Sequence, residues 1–90
     1  MSPAEPTTAV KHRVQVRIGD EDYVLRGEAT PEYMEKVAAL VDAKFSQLQA
    51  AYRHVPRHRV AILTAIHLAD EVERLRAENR ELLSLLEEAQ

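Results

Sequence analysis

Ninety residues without cysteine or tryptophan set tight bounds. A chain of that size buries only about 60% of its unfolded surface, so a core with no disulfide or thiolate–metal staple is marginal and oligomerisation is the expected remedy. The net charge of −3 argues against a general nucleic-acid binder, and no apolar run approaches the roughly 20 residues of a membrane span.

The first ten residues, Met1 to Val10, are small, polar and proline-bearing. They carry no apolar segment of the kind an export signal needs, so a cytoplasmic chain is expected. They also hold too little apolar surface to order themselves, and residues 1–11 read as a flexible tail.

From His12 to Ile18 the pattern alternates, with Val14, Val16 and Ile18 on one face and Arg13, Gln15 and Arg17 on the other. Period two is the mark of a half-buried strand. Gly19-Asp20-Glu21-Asp22 reads as a turn, and Tyr23 to Arg26 as a second strand, giving a β-hairpin. Two strands alone are barely stable in water, so the hairpin must pack on a helix or a second chain.

Thr30-Pro31-Glu32 opens a helix: Thr30 caps, Pro31 suits the first turn, and Glu32 favours the positive end of the dipole. Met34, Val37, Ala38, Val41, Phe45, Leu48 and Tyr52 then recur at three- and four-residue steps. That spacing predicts one apolar stripe on a helix of about 20 residues, with Glu35, Lys36, Asp42, Lys44 and Gln49 on the other face. Residues 12–56 are thus expected to form a small α/β head.

Pro56 ends that helix and can open another. Arg57 to Ala89 contains neither Gly nor Pro, so residues 57–90 read as one long helix of roughly 50 Å. A compact chain of this size has a gyration radius of about 12 Å, so the helix should project and seek a partner. Its first half is apolar almost all round. Ala61, Ala65 and Ala69 lie four apart and permit close approach of another helix. The second half is a heptad seam. With Ala65, Val72, Asn79 and Leu86 at a, positions d are Leu68, Leu75, Leu82 and Ala89. Leucine at d with a β-branched Val72 and a polar Asn79 at a suits a parallel two-stranded coil. Glu71 and Arg76 then stand at g and the following e, the spacing of an interchain ion pair. Leu83 and Leu85 widen the seam around Leu82 and Leu86, which is more than a dimer needs and suggests that two dimers meet there. The fold class expected is α+β, a hairpin and helix followed by a long coiled-coil helix.

Chemistry is sparse. His54 and His58 have the spacing of two metal ligands on a helix, but Pro56 stands between them and no third ligand is near. No metal or cofactor is expected. His67, among apolar neighbours, reads as a core or interface histidine that could lend an interface pH sensitivity. No serine, histidine and carboxylate fall into a catalytic pattern, so no enzyme is expected. Arg53 to Arg59 is a basic cluster beside a helix start. It leaves open a small dimeric nucleic-acid-binding regulator, and the seam alone leaves open a generic coiled-coil adaptor.

The order strand, glycine turn, strand, then Ala29-Thr30-Pro31-Glu32-Tyr33-Met34 resembles the ZapA family of bacterial cell-division proteins. So does Arg59 to Glu71, whose ending Ala65-Ile66-His67-Leu68-Ala69-Asp70-Glu71 is similar to the Ala-Leu-Asn-Ile-Ala-Asp-Glu of many members. The resemblance runs from about Val14 to Leu86. It implies a non-catalytic protein at the mid-cell division ring that binds the tubulin-like GTPase FtsZ and bundles its protofilaments, as a homodimer or an antiparallel homotetramer. His67 departs from the commonly seen amide, and the coil is short. Since FtsZ is usually acidic, the candidate contacts are Lys36, Lys44, Arg53 and Arg57, with Arg13 and Arg17 behind them.

Overall fold

The computed structural model describes residues 10–89, so the tail expected over residues 1–11 lies almost wholly outside the described residues. The chain is α+β. Strands β1 (His12–Ile18) and β2 (Glu21–Gly27) are followed by helices α1 (Pro31–Ala51) and α2 (Arg57–Glu88). By its internal contacts the chain divides into two units, one running up to Gln47 and the other beginning at Leu48. The boundary therefore cuts the last turn of α1.

In the first unit the strands pair antiparallel, with Val14 opposite Leu25, Val16 opposite Tyr23 and Ile18 opposite Glu21. The loop is only Gly19-Asp20, and both residues have positive φ, 57° and 70°. That is the geometry of a type I′ turn, whose twist matches the strands it joins. The four-residue turn expected from composition is therefore two residues long. Glu21 and Asp22 belong to β2, because ladder bonds continue to the edge of the turn. Val14, Val16, Met34 and Ala38 form the core of this unit, with Ile18, Leu25 and Ala29 packed against it.

Helix α1 starts as its sequence predicts: the backbone N–H of Tyr33 donates to Thr30 Oγ1 at 3.2 Å. Its apolar residues fall into two stripes where the spacing predicted one. Met34, Ala38, Phe45 and Leu48 are buried, but Val37 and Tyr52 are exposed. Asp42 is also misplaced by pattern alone. It is half-buried, and its Oδ1 accepts the backbone N–H of Gly19 at 2.8 Å. The carboxylate thus clamps the hairpin turn to the helix.

In the second unit Pro56 is the N-cap of α2 (φ −58°, ψ 150°), with no side-chain cap bond. Its carbonyl accepts from the N–H groups of Arg59 and Val60 at 3.0 and 3.1 Å. Helix α2 runs 32 residues, about 48 Å at 1.5 Å per residue. Val60 is fully buried and Thr64 nearly so. The Thr64 hydroxyl donates to the carbonyl of Val60 at 2.8 Å, which satisfies a polar group that would otherwise cost free energy in the core.

Candidate self-association and binding surfaces

On α2 the buried side is narrow. Val60 and Thr64 are followed by nothing buried as far as Ala89. The expected seam residues stand open instead. Ala61, Ala65, Ala69 and Asn79 are exposed and Leu68 is half-buried. Val72, Leu75, Leu82, Leu83, Leu85 and Leu86 keep between 45% and 63% of their surface. Residues three, four and seven apart share a helix face, so Leu68, Val72, Leu75, Asn79, Leu82 and Leu86 form one continuous row. With about half of each side chain still in water, covering the rest is worth half of the ~1.5–3 kcal/mol of a full burial. An exposed apolar row of this length marks an interaction surface.

Ile62 and Ile66, 61% and 57% exposed, widen the open surface beside the alanines, in the half of the helix that the sequence shows to be apolar almost all round. His67 is exposed, which corrects the expectation of a core histidine. Polar residues flanking the row are paired along their own helix. Arg74 Nε donates to Asp70 Oδ2 at 2.8 Å, and the hydrogen bond and charge of Asp70 hold the Arg74 guanidinium above its ordinary pKa. Arg76 Nη1 lies 3.6 Å from Glu73 Oε2, so within one chain Arg76 already has an acidic neighbour besides the Glu71 that the heptad assigns it across a seam.

The candidate binding cations sort by environment. Arg13, Arg17, Lys36, Arg53 and Arg57 are exposed and Lys44 is half-buried. Arg17 is directly opposite Asp22 in the hairpin register and makes an ion pair with it at 3.0 Å. Beside β1, Gln15, Val16, Arg17, Glu35, Ala38, Ala39 and Asp42 line a shallow groove of about 290 Å³. Helix α1 also shows Tyr33, Val37 and Leu40 on one exposed stripe, at 58%, 38% and 60% of their surface. Val37 thus departs from the single apolar stripe that its spacing predicts. Among the described residues, no three of His, Cys, Asp or Glu gather as a metal site. No described helix is long and apolar enough to cross a membrane.

A hairpin-and-helix unit continuing into a long helix with an open leucine row defines a small α+β protein with an uncovered apolar helix face. The family model described as "Cell division protein ZapA" matches residues 14–90. Proteins of that name from Halalkalibacterium halodurans and Geobacillus thermodenitrificans are 37% and 34% identical to the chain. The matches span 72% and 89% of this chain and 71% and 88% of theirs. A solved ZapA mutant dimer from Geobacillus stearothermophilus superposes with a TM-score of 0.69 at 32% identity, covering 94% of this chain and 99% of that one. The chain belongs to the ZapA family of cell-division proteins.

Proposed function

We propose that this protein binds FtsZ and cross-links its protofilaments at the cytoplasmic division ring, without catalysing a reaction. The observation that carries the reading is the row from Val72 to Leu86, open to solvent along α2 of a ZapA-family chain and continued by half-buried Leu68. Its occupant is a second copy of the same helix, as the heptad spacing implies and as the dimeric state of the Geobacillus stearothermophilus relative supports. Leu82, Leu83, Leu85 and Leu86 spread over more than one seam, and pairs of dimers join there into homotetramers.

The division of labour follows. Residues 12–56 carry the filament contact, and residues 57–90 carry self-association. A parallel dimer carries both heads at one end of its coil, so two filaments are joined only when two dimers meet antiparallel and place heads at both ends. The repeated contacts then turn a weak contact into a strong one, because later engagements are intramolecular. Cross-linking needs both parts. Exposed Lys36, Arg53 and Arg57 supply charge that an acidic filament attracts, which sets encounter rate and salt sensitivity. Lys44 contributes from a half-buried position. Sedimentation of GTP-assembled FtsZ with and without this chain tests the reading: the chain should co-sediment and shift FtsZ into low-speed bundles. A chain left in the supernatant would defeat it.

A further inference from the structure

We infer that Arg13 and Arg26 form a carboxylate-binding pair on the open face of the hairpin, contacting an acidic segment of the filament partner. The inference rests on the FtsZ reading and adds a residue to it. Arg13 stands directly opposite Arg26 in the antiparallel register. Like charges directly opposite each other destabilise a strand pair. Both residues lie on the face away from the Val14–Val16 core, and both are exposed. Farther along that face, beyond Gln15 and Val24, the Arg17–Asp22 pair shows the stabilising alternative at 3.0 Å. Among the described residues neither Arg13 nor Arg26 has a side-chain ion pair or hydrogen bond. The hairpin therefore keeps two arginines without an acidic partner at opposed positions, where one acid would be the more stable choice. Paired planar guanidiniums match the two oxygens of a carboxylate, and charge-assisted bonds of this kind are strong. An acidic protein segment fits this pair better than nucleic acid, since the chain's net charge is −3 and the strand supplies no stacking aromatic between the arginines.

The stability and binding effects have opposite signs, which separates this role from a structural one. Arg26→Glu creates a cross-strand ion pair with Arg13. It should raise the melting temperature by about 2–6 °C at equal chain concentration while weakening co-sedimentation with FtsZ polymers about tenfold. Arg26→Gln removes the repulsion without adding an acid, and should weaken binding without lowering the melting temperature. Both variants should keep the parent's oligomer size in native mass spectrometry. If the parent chain itself fails to co-sediment, the FtsZ reading falls. If the parent binds and both variants bind as well as it does, the arginine pair falls while the FtsZ reading stands. A lower melting temperature for both variants would equally overturn the pair, and so would an equal loss of binding to anionic vesicles and to DNA.

Discussion

Asp42→Ala should loosen the hairpin from α1. In the structure Asp42 Oδ1 accepts the N–H of Gly19 at 2.8 Å across 23 residues of sequence, and Gly19 is buried. Removing the acceptor leaves that N–H without its protein partner, beside the shallow groove that Asp42 lines. A buried donor left unpaired costs about 1–3 kcal/mol, and the half-buried setting of Asp42 places the loss at roughly 1–2 kcal/mol. For a domain of this size each kcal/mol moves the melting temperature by about 4–8 °C. A fall of roughly 5–15 °C is therefore expected. Asp42→Asn keeps a side-chain carbonyl oxygen and loses only the charge assistance, so it should recover at least about half of the drop. Circular-dichroism melts serve as the assay, at one fixed chain concentration because self-association makes melting concentration-dependent. Amide hydrogen exchange at Gly19 is the local readout, and it should accelerate in the alanine variant. A melting temperature for Asp42→Ala within about 1 °C of the parent would refute the reasoning, as would an asparagine variant no better than the alanine one.

Val60→Ala truncates the most buried side chain among the described residues and should cost about 1–3 kcal/mol of stability, read as a lower denaturation midpoint. Thr64→Val removes a hydroxyl whose acceptor is a helix carbonyl, which keeps its α-helical N–H partner. Its midpoint should stay within about 0.5 kcal/mol of the parent or rise, whereas a large loss would show that the hydroxyl does more. Leu83→Glu with Leu85→Glu places charge on side chains still about half exposed, 52% and 53%. Light scattering should then find dimers in place of tetramers, with the helical signal intact. Charge reversal of Lys36 and Arg53, both exposed, should weaken FtsZ co-sedimentation and flatten its salt dependence without altering oligomer size.

Local periodicity made most of the fold legible. The alternation through Val14, Val16 and Ile18, the Thr30 cap and the uninterrupted run after Pro56 each point to one element, and each element is present. Tertiary placement was harder to read. Val37 obeys the same three-and-four spacing as Met34 and Ala38, yet only the latter two meet the hairpin core. Asp42 looks like a solvated helix charge until the turn at Gly19 is brought beside it. Thr64 looks polar among apolar neighbours, and its bond to Val60 one turn back is what lets it be buried. The open row on α2 was visible as heptads, because an unpartnered seam depends on sequence spacing alone. The like-charged Arg13 and Arg26 were not visible as a pair, since only the strand register sets them opposite each other.

Cross-linking, as opposed to mere binding, is the central claim, and it requires self-association and filament contact in one molecule. Its most direct measurement is low-speed sedimentation of GTP-assembled FtsZ, with electron microscopy of the pellets, comparing the parent chain with the Leu83→Glu, Leu85→Glu double variant. The parent should drive FtsZ into the low-speed pellet as aligned bundles. The double variant should still co-sediment with single filaments at high speed yet leave the low-speed pellet at the level of FtsZ alone. Bundles formed equally well by the double variant, with its oligomers reduced in size, would contradict the account.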